Sequence, residues 1–390
     1  MQAPSVVHWS EDGEARTARW RSERGAPPPK RVTIVDDRIT ADEAYGLAAQ
    51  GVGLLWRGDF QNARQMLAAM GSRVDQPKGP KKPSKRTPSP KPKGDGERPG
   101  AFDIERQARA QRARTLGMLL IPLGADYAIP LRRAPDIRDA CVEAYGPAGE
   151  ASLVSLRELL GLIGAHEWRR KGIELAAIKG RIHPHYGVFA PIRSEYVDLV
   201  ATAPLPAAAA ATSLAFDIGT GTGVLAAVLA RRGIRRVVAT DTDPRALACA
   251  RENLKRLGLA TRVELEEVDL FPEGRAPLVV CNPPWVPARP SSPLERGIYD
   301  PESRMLLGFL DGLAAHLEPG GEGWLILSDL AEHLGLRTRE ALLASFAQAG
   351  LRVVDRLDER PKHPKTSDTG DALHRARSAE VTSLWRLAAT

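Results

Sequence analysis

The chain has 390 residues, enough for two or three domains. With 43% hydrophobic and 26% charged residues, the composition excludes wholesale disorder, a collagen-like fibre and a bundle of membrane helices. Its 55 Lys and Arg against 48 Asp and Glu leave a formal charge of +7, which is compatible with an anionic partner and says nothing about fold.

The first residues, MQAPSVVHWSEDGEARTARW, contain no apolar run of the secretory kind. The most apolar stretch, residues 199–211, is broken by Pro204 and Pro206 and is too short to span a bilayer, so no membrane association is expected. Cys141, Cys249 and Cys281 stand far apart in no metal-ligating or disulfide spacing. The expected home is the reducing cytoplasm.

In chain order, residues 32–35 read as a strand. Residues 41–70 read as two short helices, with Ala44, Leu47 and Ala48, then Ala63, Met66 and Leu67, at helical spacing around Gly51 and Gly53. Residues 1–70 are therefore expected to be a small helical region. Residues 71–100 are dominated by Pro, Lys, Gly and Ser and predict a flexible basic linker, either a soluble spacer or an electrostatic tether to nucleic acid. Residues 101–180 predict a mainly helical region, with helices over 104–114, 137–145 and 152–162, the last capped by Ser152 or Ser155.

From residue 213 strands and helices alternate. Strands are expected over 213–218, 236–240, 262–266, 278–281, 323–327, 351–357 and 380–387, and helices over 224–232, 244–257, 302–317 and 337–349. This predicts an α/β fold: a seven-stranded, Rossmann-like parallel sheet with helices on both faces. The last two strands have only a polar loop between them, so they must pair as an antiparallel hairpin at one edge.

Four motifs fall at the ends of consecutive strands, where open α/β sheets bind ligands. The first is Asp217-Ile218-Gly219-Thr220-Gly221-Thr222-Gly223, a Gly-rich turn opening a helix; its GxGxG spacing differs from the GxGxxG of dinucleotide enzymes. The second ends in Asp241, a carboxylate able to take both hydroxyls of a ribose. The third contains Asp269, which can accept from an adenine amino group, and Phe271, which can cover the ring. The fourth is Asn282-Pro283-Pro284-Trp285. Each also has a plain structural use: Asp241 or Asp243 as a helix N-cap, Asp269 as a turn residue, the prolines as strand terminators.

Together these residues resemble a class I S-adenosylmethionine-dependent methyltransferase over roughly residues 181–390, and most closely the NPPY-type amino-methyltransferase branch, similar to release-factor and ribosomal-protein glutamine methyltransferases and the methyltransferase small domain. The resemblance implies S-adenosylmethionine as cofactor. Gly219, Thr220 and Gly221 would line its methionine part within the Asp217–Gly223 turn, Asp241 would hold the ribose, and Asp269 and Phe271 the adenine. Asn282, Pro283, Pro284 and Trp285 would form the catalytic loop, Trp285 standing where glutamine methyltransferases usually have Tyr. The segment around Pro191, Arg193 and Glu195 resembles the IPRPETE-type stretch that precedes the fold in the release-factor enzymes. Residues 101–180 would then recognise substrate.

An amide or exocyclic amine is a poor nucleophile because its lone pair is delocalised. The Asn282 oxygen and the Pro283 carbonyl can accept its two N–H groups, two prolines pre-aim that carbonyl, and Trp285 can stack on the acceptor plane. Catalysis is then mostly positioning, with no metal and no covalent intermediate. His183 and His185 flank a Pro without a third ligand, and Cys281 has no partner base, so neither metal nor nucleophile is expected there. Trp56, Trp168 and Trp324 are expected in the core or lining a groove.

The leading expectation is methylation of a glutamine side chain in a translation protein. The alternative is an N6-adenine methyltransferase on RNA or DNA, favoured by the charge and the linker and needing a base stacked on Trp285. A scaffold with a vestigial pocket and a nicotinamide dehydrogenase fit less well. Residues 360–378 carry Arg360, Lys362, Lys365, Arg375 and Arg377 and are expected either to border the acceptor cleft or to form a surface excursion.

Overall fold

The computed structural model describes residues 5–75, 101–290, 293–360 and 374–390. The chain forms two compact units, Met1–Ile163 and Gly164–Thr390.

The first unit holds six strands: β1 (Val6–Glu11), β2 (Glu14–Arg21), β3 (Arg31–Val35), β4 (Val52–Trp56), β5 (Leu119–Leu123) and β6 (Ser152–Ser155). They form one mixed sheet in the order β1-β2-β6-β5-β4-β3. This corrects the expectation of a mainly helical N-terminal region. β4 and β5 are continuous apolar runs, VGLLW and LLIPL, buried along their whole length, and so lack the alternation that marks a half-exposed strand. Residues 152–155, read as the start of a helix, are the strand β6, and the helix begins at Leu156.

The basic segment does not separate two domains. β4 pairs with β5 across it, and Arg112, on the helix Ala101–Leu116, donates to the Gly71 carbonyl at 3.1 Å and to Asp75 at 2.6 Å. The helix before the segment runs Phe60–Asp75, so residues 71–75 belong to it and not to the linker; Met70 and Gly71 are buried on it. Residues 76–100 lie outside the described residues.

The second unit opens with a small hairpin, β7 (Ile173–Leu175) and β8 (Gly180–Ile182). The main sheet follows: β9 (Leu214–Ile218), β10 (Arg236–Asp241), β11 (Val263–Glu267), β12 (Ala276–Cys281), β13 (Leu317–Ser328), β14 (Leu351–Glu359) and β15 (Thr382–Ala389), in the order β11-β10-β9-β12-β13-β15-β14. β15 is antiparallel to both neighbours and the other pairs are parallel, as the sequence predicts.

Strand alternation divides the core in two. Ala215, Val237, Ala239, Leu278, Val280, Trp324 and Ile326 point to one face, where the helix Val224–Arg231 packs, apolar and buried from Val224 to Ala230. Phe216, Ile218, Val238, Val279, Cys281, Leu325 and Leu327 point to the other, covered by the helices Arg304–His316 and Arg339–Gln348. The strand order reverses between β9 and β12, and that switch point is where open sheets of this kind admit a ligand.

Of the three tryptophans singled out in the sequence, Trp56 and Trp324 are buried and Trp168 is exposed. No described helix is long and apolar enough to cross a membrane.

Gly323 on β13 lies directly beneath Leu313, and a Cβ there would meet Leu313 Cδ1 at 2.7 Å, tighter than real contacts allow. Gly323→Ala is expected to destabilise the chain by about 1–3 kcal/mol through overpacking. Urea denaturation checks this: the midpoint should fall with an unchanged slope.

Candidate functional site

β9 ends in Asp217-Ile218 and runs into a turn whose three glycines all take left-handed backbone, Gly219 at φ 71°, Gly221 at 54° and Gly223 at 79°. Each does a different task. A Cβ at Gly219 would collide with Met305. One at Gly223 would press on Ala250 at 3.1 Å, so this glycine lets the helix Pro244–Arg256 pack close. One at Gly221 would meet nothing within 4 Å, which leaves the main chain open to an incoming ligand.

Asp217 is 1% exposed. Its Oδ2 accepts the Thr220 hydroxyl at 2.7 Å and the Ala226 amide at 3.0 Å, tying the strand end to the turn and to the first turn of the next helix. Burial pushes its carboxyl up to about 6, against the hydrogen bonds from Thr220 and Ala226.

At the end of β10, Asp241 accepts the Gly221 amide on Oδ2 and the Asp243 amide on Oδ1, both at 2.9 Å. Asp243, not Asp241, is the N-cap of the following helix, accepting from the Arg245 amide, with Pro244 in the first turn. Asp241 is therefore spared that task and faces a cleft of about 290 Å³. Burial raises its carboxyl above the usual range, opposed by the amides of Asp243, Gly221 and Thr242.

The cleft wall takes in Gly219, Thr220, Gly221, Asp241, Asp269, Asn282 and Pro284. Asp217, Gly223, Pro283, Phe271 and Trp285 stand behind it. Asp269 pairs with Arg304. Phe271, half-buried, stacks on His316 at 4.2 Å and on the buried Phe309 at 5.7 Å, and the expected ring over an adenine is not part of the cleft wall. Its neighbour Leu270 lines the cleft instead, held in left-handed backbone at φ 68° with its carbonyl accepting the Thr240 hydroxyl at 2.6 Å. Leu270 and Met305, both missed in the sequence, supply an apolar slot. The signal for Leu270 was Gly308, where a Cβ would meet it at 2.7 Å; Gly312, four residues on, makes room for the Phe271 ring, and Met305 lies against Gly219.

Asn282 follows β12. Its Oδ1 accepts the indole Nε1–H of Trp285 at 2.9 Å. The Trp285 ring packs against both faces' cores, with the Arg193 guanidinium 5.2 Å from its centroid. Arg193 in turn binds Glu195 at 2.7 Å and Glu380 at 3.0 Å. The expected stacking face is thus withdrawn from the cleft.

His183 and His185 anchor the segment leading to the cleft. The His183 amide donates to Asn253 Oδ1 at 2.8 Å, and His185 Nε2 meets Glu252 at 3.1 Å. Burial drives the Cys281 thiol well above its ordinary range, which keeps it protonated and unreactive. Among the described residues no group of three or more His, Cys, Asp or Glu is placed to hold a metal ion. Residues 361–373, most of the basic loop expected either to border the acceptor cleft or to form a surface excursion, lie outside the described residues.

The site residues fit S-adenosylmethionine. An open glycine main chain, a carboxylate facing the cleft, an apolar slot and several acidic groups suit an amino-acid chain, a diol, a base and a sulfonium charge.

Residues 179–349 match the family described as methyltransferase small domain. The chain is 35% identical over 161 residues to a release factor glutamine methyltransferase of Cereibacter sphaeroides, covering 37% of this chain and 56% of that protein. It is 37% identical over 147 residues to a ribosomal protein L11 methyltransferase of Pelotomaculum thermopropionicum, covering 37% of this chain and 40% of that protein. The chain thus spans about half the length of the curated relatives it matches. Among solved structures it is similar to a ribosomal protein L11 methylase of Lactobacillus delbrueckii, with 16% identity, a TM-score of 0.35 and coverage of 52% of this chain and 83% of that one.

Because the folded pKa of Asp217 lies above the unfolded value of about 4, the folded state binds the extra proton. Its contribution to stability is fully present below about pH 4 and is lost as pH rises through about 6. Asp217→Asn, which mimics the protonated acid, should match the wild type at pH 4 and exceed it in melting temperature by pH 7. Thermal melts across that window check this; a constant difference would contradict it.

Proposed function

We propose that the methyltransferase small domain of residues 179–349 uses S-adenosylmethionine to methylate a planar side-chain nitrogen, and that the acceptor is a glutamine amide in a protein of the translation apparatus. When bound, the cofactor supplies an electrophilic methyl on a positively charged sulfur. Asp241 would hold the ribose hydroxyls, the Gly219–Gly221 main chain the amino-acid part, and Leu270 with Met305 the base. Asp241 supplies negative potential toward the sulfonium, while Asp269 is paired with Arg304.

Asn282 carries the acceptor side. One lone pair of its side-chain oxygen is used by Trp285. The other is available to an N–H of the acceptor, which turns that nitrogen toward the methyl. Substrate recognition by the N-terminal unit is part of the same proposal.

The observation that carries the choice of acceptor is the placement of Trp285. A flipped base needs an aromatic face on which to stack. Here one indole face carries Arg193, the N–H is spent on Asn282, and the half-buried ring packs against the core rather than forming part of the cleft wall. Phe189, an aromatic residue of the cleft wall, lies against Gly297, where a Cβ would meet its ring at 2.9 Å. A glutamine amide on its flexible stem needs only the polar partners.

The chain incubated with methyl-labelled S-adenosylmethionine and cell extract should label a component sensitive to protease and resistant to nuclease. Nuclease-sensitive label would transfer the proposal to an exocyclic base amine. Asn282→Ala should abolish labelling while S-adenosylhomocysteine affinity, measured by calorimetry, stays within about three-fold, because Asn282 serves the acceptor. Asp241→Ala should do the reverse first, costing about 1.5–3 kcal/mol of cofactor affinity for each charge-assisted bond lost. Unchanged binding by that variant would remove Asp241 from the cofactor site.

A further inference from the structure

The geometry points to Arg193 as a positioning residue that sets the reactive face of Asn282 through the indole of Trp285. This rests on the methyl-transfer proposal above and adds to it a residue outside the Gly-rich turn, the strand-end carboxylates and the NPPW loop.

The amide of Asn282 has two orientations that differ only by exchange of oxygen and nitrogen. The bond from Trp285 Nε1–H to Asn282 Oδ1, 2.9 Å long, permits one of them. The inverted amide would set an N–H against an N–H and lose the bond between them, so the observed orientation is favoured. With the oxygen pinned, its second lone pair stays available for an acceptor N–H. An inverted Asn282 would offer donors to an amide nitrogen that needs acceptors, and transfer would stop.

The indole therefore has to be held still, and Arg193 does this. Its guanidinium lies over the Trp285 ring at 5.2 Å, within the range of cation–π attraction. A cation on that face also draws density from the ring and makes the indole N–H a stronger donor. The guanidinium is itself fixed on both sides. Nε donates to Glu195 at 2.7 Å, and Nη1 and Nη2 donate to the two oxygens of Glu380 at 3.2 and 3.0 Å. Both carboxylates are buried, at 4% and 2% exposure. Glu380 is also bonded by the Ser328 hydroxyl at 2.6 Å, and Ser328 is the last residue of β13, the strand beside β12. A chain of contacts thus runs from the end of β13 through Glu380, Arg193 and Trp285 to Asn282. Lysine offers no planar fork to bridge two carboxylates while lying flat on an indole. Tyrosine at 285 would carry its hydroxyl at the ring tip and has no ring N–H.

The test uses the full chain and two readouts. The first is hydrogen exchange of the Trp285 Nε1–H, its NMR signal assigned by its loss in Trp285→Phe. In the wild type it should be protected, and Asn282→Ala and Arg193→Met should each speed its exchange about ten-fold or more. The second is methyl transfer to the labelled component. Trp285→Phe keeps a ring and removes the N–H. It should lower kcat about ten-fold or more while acceptor KM and S-adenosylhomocysteine affinity stay within about three-fold. Arg193→Met should lower kcat similarly, and Arg193→Lys should recover part of the loss by keeping the charge; if Arg193→Met fails to fold, Arg193→Lys and Trp285→Phe carry the test. Wild-type kcat in Trp285→Phe overturns the inference and leaves the methyltransferase proposal standing. If the wild type labels no component, that proposal fails instead. The exchange readout then decides the inference, and an indole N–H exchanging as fast as in free tryptophan overturns it.

Discussion

One buried carboxylate holds the cleft together. Asp217 closes the end of β9 and reaches both the Thr220 hydroxyl and the Ala226 amide through a single oxygen. The strand, the glycine turn and the helix start are joined there within a few ångströms. The first amides of a helix have no partner inside the helix, and in a core without water they need one. Asp217 supplies it, at the cost of burying a charge that burial works to neutralise. Everything the cleft presents on this side follows, because the turn it fixes sets where the main chain of Gly219 and Gly221 meets a ligand.

The site has a front and a back, and neighbouring residues fall on opposite sides of that division. Leu270 faces the cleft while Phe271 stacks with His316 behind it. Pro284 faces it while Trp285 turns behind. In both cases the aromatic residue supports the wall and a smaller group forms it. The left-handed backbone at Leu270 makes the first reversal possible, and the neighbouring helix accommodates it with Gly308 and Gly312. The back layer is where the charged cluster of Arg193, Glu195 and Glu380 sits, so the loop bearing Asn282 rests on ionic contacts as well as apolar ones.

The first unit shows how composition can mislead about boundaries. Residues on both sides of the basic segment build one sheet, since β4 and β5 are neighbours in it. A polar run interrupts the chain there without ending a fold, because burial is decided by which apolar strands meet in space. The hairpin of β1 and β2 was missed by the helical reading of residues 1–70, although Asp12 and Gly13 are the pair that tight antiparallel turns favour, and both take positive φ.

By itself the sequence determined the second sheet almost completely. Most strands of β9 to β15 are separated by clear helices, the polar connection before β15, which contains the short helix His374–Ala379, leads to an antiparallel ending, and four motifs mark the ligand edge. These are local or periodic signals, and periodicity survives in one dimension. What only the tertiary structure decided is direction and partnership. Whether Phe271 and Trp285 face the cleft, whether Asp241 or Asp243 caps the helix, and that Arg193 reaches Glu380 all depend on side chains brought together from distant parts of the chain. β4 and β5 escaped for the same reason. A strand buried on both faces has no polar side to betray it, and only its neighbours in space distinguish it from a buried helix.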